Sequence, residues 1–242
     1  MRPRGGMVTR RRTEETRQLL LDVGLRSLYE RGVSVGVTHV KLGDVAVAAG
    51  LTTGAAYRCW QSQEAFHHDL AVAAVGWRDR QSIASTVEGI KGLVEQHASW
   101  REVVRAGAAA NLEAFPADQS FITSIALRVS AQFDDALACA SKERLNVALT
   151  SFASLYGGLL DFYGRRVSAP FTLEHFTMMI AALSEGFVLQ GLSGIEHPVI
   201  EREIAEPGVG ADWTLLGSAV EAIVEAFTEP ANGVSASGAP AR

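Results

Sequence analysis

From Val45 to Trp60 the chain reads Val-Ala-Val-Ala-Ala-Gly-Leu-Thr-Thr-Gly-Ala-Ala-Tyr-Arg-Cys-Trp, and Gly50 divides this run into two short helical pieces. A glycine directly after an apolar helical stretch supplies the left-handed backbone that ends a helix. Thr52 then offers a side-chain oxygen to a free N–H at the start of the next helix. Two helices joined so tightly form a helix-turn-helix, whose second helix enters the major groove of DNA. On that helix Thr52, Thr53, Gly54, Ala55 and Arg58 are expected to face outward, and Ala56, Cys59 and Trp60 inward. Thr53 and Arg58 are the candidates for base contact, since threonine packs on a thymine methyl and arginine reaches guanine bidentately.

The same residues, Val45-Ala46, Gly50-Leu51-Thr52, Gly54 and Tyr57, continued by Trp60, Ser62, Glu64, Ala65 and Phe66, resemble the signature of the TetR family of bacterial transcriptional regulators. Upstream, Leu20-Leu21-Asp22-Val23-Gly24-Leu25 and Glu30-Arg31-Gly32 are similar to the family's first helix and its ending. The resemblance covers about residues 14 to 70. It implies a homodimer that binds double-stranded DNA and responds to a small molecule, with Tyr57 on a phosphate; the alternative for Tyr57 is a ring packed on the head. Two positions depart from the family pattern. Lys41 stands where a threonine often caps the preceding helix, and Gln63 replaces a frequent lysine. Lys41 is still expected near phosphate, and Gln63 as a neutral hydrogen-bonding group at a helix N-terminus.

A net charge of −5 argues against a nucleic-acid partner until the chain is divided. Residues 1–60 carry +5 and the remainder −10. A basic module on an acidic body is the arrangement expected of a phosphate-binding head, with Arg10, Arg11 and Arg12 adding backbone or minor-groove contacts.

The expected organisation is a flexible basic arm at 1–12, a helix-turn-helix domain at 13–61, a helical effector-binding and dimerisation domain at 62–228, and a disordered Ala/Gly/Ser/Pro-rich tail at 229–242. Apolar residues recur at helical spacing over about Ser82–His97, Ser99–Ala114, Asp118–Ala138, Lys142–Arg165, Thr172–Leu192 and Asp212–Thr228, with Ser62 capping an earlier helix. No strand alternation of useful length appears, so the chain is read as all-α with about ten helices. The most apolar stretch, Met178–Ile195, contains Glu185, and the basic start has no apolar run after it. These point to a cytoplasmic protein with no membrane partner. Met7 is an alternative start that keeps Arg10-Arg11-Arg12.

In the body, Trp77, His97, Trp100, Asn111, Phe121, Phe133, Tyr156 and Phe162 are candidates for an apolar pocket taking a hydrophobic or aromatic effector, with core packing as the alternative for each. Phe176, Ile180, Leu183 and Phe187, and Trp213, Leu216, Val220 and Ile223, resemble the family's dimerisation pair; packing within a monomer is again the alternative. The sequence offers no cofactor site. His67 and His68 point about 100° apart on a helix and do not converge on a metal. Asp134-Asp135 lacks a second acidic cluster and reads as a solvated face, and Cys59 and Cys139 as separate thiols. The chain is therefore read as a non-enzyme. An α-helical enzyme with an incidental head and a regulator gated by a protein partner stay open as rivals, separable by turnover of a ligand and by a cavity-free body.

Overall fold

The computed structural model describes residues 5–31, 34–76, 81–114 and 118–231. Ten α-helices lie among them. In chain order they are α1 (Gly5–Arg31), α2 (Leu42–Ala48), α3 (Thr53–Ala56), α4 (Gln63–Gly76), α5 (Gln81–Glu95), α6 (Trp100–Ala114), α7 (Gln119–Arg128), α8 (Asp135–Phe162), α9 (Leu173–Leu192) and α10 (Leu215–Phe227). The all-α reading holds. Short extended pieces are added to it: β1 (Ser34–Val37), β2 (Arg165–Val167), β3 (Val199–Glu201), β4 (Asp212–Thr214) and β5 (Thr228–Pro230). β2 pairs antiparallel with β5, and β3 with β4.

Contacts divide the chain into two compact units, one of Met1–Asp79 with Gln119–Leu145, the other of Arg80–Asp118 with Asn146–Arg242. This differs from the expected boundary at 61/62. The first unit keeps α4 and takes in α7 and the start of α8, because Leu127 and Leu137 join the core that Leu20, Leu28, Leu42, Phe66 and Leu70 build. The helix expected over Asp118–Ala138 is broken by a 3-10 turn at Val129–Phe133. Asp134 then restarts the backbone by accepting from the N–H groups of Ala136 and Leu137 at 2.9 and 3.0 Å. Its carboxyl is held below the usual range, first by the Leu137 N–H. The acidic pair is thus part of a helix start, as an N-cap prefers.

Two expectations at the termini change. α1 begins at Gly5, inside the segment read as a flexible arm. At the other end Arg165 pairs with Pro230 and Arg166 with Glu229, so the first residues of the expected tail belong to a ribbon, and residues 232–242 lie outside the described ones.

The second unit is centred on Leu160, Phe176, Ile180 and Val224. Its long connection between α9 and α10 is tied down by charge. Arg101 Nη1 reaches Glu206 at 2.7 Å and Nε reaches Glu221 at 3.0 Å, with Glu225 as a third partner, while Arg202 Nη1 meets Glu221 at 2.6 Å. Glu102 accepts from Gly210 N–H at 2.9 Å and pairs with Arg105, whose hydrogen bond holds its carboxyl low. Among the described residues no helix is long and apolar enough to cross a membrane.

Candidate nucleic-acid interface and ligand cavity

The turn of the helix-turn-helix is set by local chemistry. Gly50 sits at φ 70°. Leu51 N–H reaches back to Ala46 O at 2.8 Å and Gly50 N–H to Val47 O at 3.0 Å, the paired bonds of a Schellman end. Thr52 caps α3, its Oγ1 accepting from Ala55 N–H at 3.2 Å. α3 itself has only four residues, Thr53–Ala56, and continues as a turn. Thr52, Thr53, Gly54 and Arg58 are exposed, Ala55 is half-buried, and Ala56 and Trp60 are buried. Tyr57 is 45% exposed. Arg58 Nε donates to Gly54 O at 3.3 Å, which lays its side chain along the same surface. Arg12 is exposed on α1; the side chains of Arg10 and Arg11 lie outside the described residues.

Lys41 and Gln63 take on meaning as a pair. Lys41 occupies the N-cap of α2 and makes no side-chain cap bond; its Nζ instead donates to Thr38 O at 3.2 Å. Gln63, on α4, reaches the start of α2 from 21 residues away: Oε1 accepts from Leu42 N–H at 3.0 Å and Nε2 donates to Val40 O at 3.0 Å. His67 Nε2 lies 2.7 Å from the same Nε2. The expected phosphate role of Gln63 is therefore corrected, because both ends of its amide are engaged inside the head.

Behind the recognition turn, Trp60 Nε1–H donates to Asp69 Oδ2 at 2.6 Å, and Arg17 of α1 pairs with the same oxygen. The Arg17 guanidinium also lies 5.5 Å from the Trp60 ring centroid, and Trp60 meets Phe66 edge-on at 5.1 Å. Burial alone would raise the Asp69 carboxyl, but hydrogen bonds from Trp60, His68 and Arg17 outweigh it and hold the group below its usual value. His68 Nε2 reaches Asp134 at 3.2 Å, so the His67-His68-Asp69 run serves joints between helices. Among the described residues no cluster of three metal-ligating side chains occurs.

The second unit contains a cavity of about 100 Å³, lined mainly by α6, α8, α9 and α10. Of the eight pocket candidates, Trp100, Asn111 and Tyr156 line it. Burial pushes the Tyr156 phenol well above its ordinary pKa, so it stays a neutral donor. The others are elsewhere. His97 and Phe162 stack on each other, centroids 5.6 Å apart, with Phe162 46% exposed. Phe121 and Phe133 fall in the first unit, Phe133 being 84% exposed. Trp77 lies outside the described residues.

Five of the eight expected dimer residues face the inside of this unit. Phe176, Ile180, Leu216 and Val220 line the cavity, and Trp213 is fully buried with its Nε1–H on Gly210 O at 3.0 Å. Leu183, Phe187 and Ile223 are half-buried. Sequence reasoning also missed Arg165, Ser184 and Thr86 on the cavity wall. The spacing of Trp100, Val103, Val104, Gly107, Ala108 and Asn111 along α6 was the available signal.

Fold and site together define an all-α protein with a helix-turn-helix head and a separate hollow helical unit. No family model matches the chain, and no curated protein matches it. Solved structures do. A TetR-family transcriptional regulator from Rhodococcus sp. is 19% identical, over 76% of this chain and 90% of its own, with a TM-score of 0.45. The flavonoid-responsive regulator FrrA is 14% identical over 87% and 97%, at 0.49, and NalD, the secondary repressor of a multidrug efflux pump in Pseudomonas aeruginosa, is 20% identical over 88% and 95%, at 0.38. Several such neighbours are TetR-family regulators, the family that the head resembles in sequence. Likeness at these scores carries no functional argument, which rests on the residues.

Proposed function

We propose that the chain is a TetR-type, sequence-specific DNA-binding transcriptional regulator, acting as a homodimeric repressor released from its operator by a small apolar ligand. The observation that carries this reading is the Gly50 turn with its exposed face of Thr52, Thr53, Gly54, Tyr57 and Arg58, set on a head locked by Trp60, Asp69 and Arg17. Thr53 and Arg58 read bases, Tyr57 and Lys41 contact phosphate, and Arg10, Arg11 and Arg12 add charge. Ala55 and Gly54 let the backbone approach.

For the dimer, α9 offers a stripe at alternating four- and three-residue spacing, Met178, Ala182, Glu185, Leu189 and Leu192, of which Met178, Leu189 and Leu192 are exposed apolar residues. α10 offers Leu215, Ala219, Ala222 and Ala226 at the same spacing. Such seams suit helix-to-helix packing against a second copy. Two heads then read half-sites about 34–36 Å apart on a near-palindromic operator. The cavity supports ligand control, and complete switching needs a ligand preference of roughly 10⁴-fold between states.

The test is a gel shift of the purified chain on the DNA upstream of its own gene. A complex that weakens steeply with salt is expected, and indifference to DNA at low salt overturns the proposal.

A further inference from the structure

The cavity's polar groups say what shape of molecule would fill it. Its α6 wall runs from Trp100 to Asn111. Eleven residues set these two about 16 Å apart along the helix axis. Between them Val103, Val104, Gly107 and Ala108 make that wall apolar.

At one end the Arg165 guanidinium lies 5.3 Å from the Trp100 ring centroid. Its Nε and Nη2 donate to Thr228 Oγ1 and O at 2.7 and 3.2 Å, both neutral acceptors. No carboxylate lines the cavity. Arg101, packed on the same indole at 4.5 Å, shows the contrast, since Glu206, Glu221 and Glu225 neutralise it. Arg165 therefore brings a positive charge to the cavity with no acidic partner among the described residues. At the other end Asn111 is 7% exposed, and its Oδ1 is buried without a hydrogen-bond partner. A buried acceptor left so is costly, and a ligand that brings a donor removes the cost.

We propose that the cavity takes a slender amphipathic carboxylate, with its anion at Arg165, a straight apolar body of roughly eight to ten carbons along the α6 stripe, and a hydroxyl or amide N–H donating to Asn111. The assignment rests on reading the second unit as the effector-binding unit.

The test is calorimetric titration of the full chain with three probes: 10-hydroxydecanoate, its methyl ester, and decanoate. The hydroxy acid binds, and the ester and decanoate each bind at least about tenfold more weakly, the loss expected for a charge-assisted contact and for a buried hydrogen bond. Arg165→Gln abolishes the preference for acid over ester and Arg165→Lys keeps it; Asn111→Leu abolishes only the preference for the hydroxyl. Equal affinity for acid and ester, an unchanged preference in Arg165→Gln, or no binding of the hydroxy acid at about 1 mM overturns the proposal. If loss of the Thr228 contacts unfolds Arg165→Gln, the three probes on the unaltered chain and on Arg165→Lys decide. Binding is read without DNA, which separates the two readings. A chain that discriminates the acids but ignores DNA sinks the regulator alone, and one that shifts DNA but ignores the acids sinks the cavity assignment alone.

Discussion

Replacing Asp69 with asparagine tests whether the recognition turn is held from behind by charge. The carboxylate receives Trp60 Nε1–H at 2.6 Å and the Arg17 guanidinium. Asparagine keeps a neutral acceptor for Trp60, so roughly half of a charge-assisted bond, about 1 kcal/mol, is lost. The Arg17 pair adds less than about 1 kcal/mol, because the Arg17 side chain is 38% exposed and solvent screens it. The sum is about 1.5 kcal/mol, which at a typical urea dependence of about 2 kcal/mol/M lowers the unfolding midpoint by roughly 0.7 M. The pH dependence is the sharper check. Asp69 is depressed in the folded head below its ordinary 3.8, so its contribution is complete above the unfolded value and disappears as pH falls through the folded one. Urea titrations of both chains should therefore differ by a constant amount between about pH 5 and 8 and converge only as the pH falls through the folded value, below 3.8. Equal midpoints at pH 7, or a gap that persists unchanged in acid, would refute the reasoning.

Other changes probe the remaining joints. Gly50→Ala forces an alanine to φ 70° and should cost about 1 kcal/mol or more, read by thermal melting. Thr52→Ala removes the α3 cap at about 1 kcal/mol, and unchanged melting would discount the Oγ1 bond. Gln63→Lys should destabilise the head by roughly 1–2 kcal/mol by unpairing Leu42 N–H, and an unchanged melting temperature would deny that the amide holds α2. On DNA, Tyr57→Phe should weaken all sequences about equally, while Thr53→Ala or Arg58→Ala changes the ranking of operators in competition gel shifts. Met178→Asp with Leu189→Asp should convert the proposed dimer to monomer in sedimentation, and a dimer that survives both removes α9 from the interface.

The head was legible because its signals are local. Gly50, Thr52 and Ser62 act on backbone groups within five residues, so their chemistry is written beside the bonds they make. What failed was the direction of a face. α9 carries Phe176 and Ile180 on one stripe and Met178 and Leu189 on another, both apolar, and periodicity does not say which meets the cavity and which meets solvent. The aromatics misled similarly: Phe133 and Phe162 are exposed, whereas the cavity's informative polar group is Arg165, delivered by a ribbon whose pairing joins residues 61 to 65 apart. The break at Val129–Phe133 escaped because an apolar period runs through it.

The first N–H of α2 is held from another helix. A comparison that weighs each column of a sequence separately records Gln63 only as a lysine lost, although its amide ties α2 to α4. Relatives with lysine at 63 should then leave that N–H to another partner. Fastening α2 and carrying a positive charge at 63 are alternatives for one side chain.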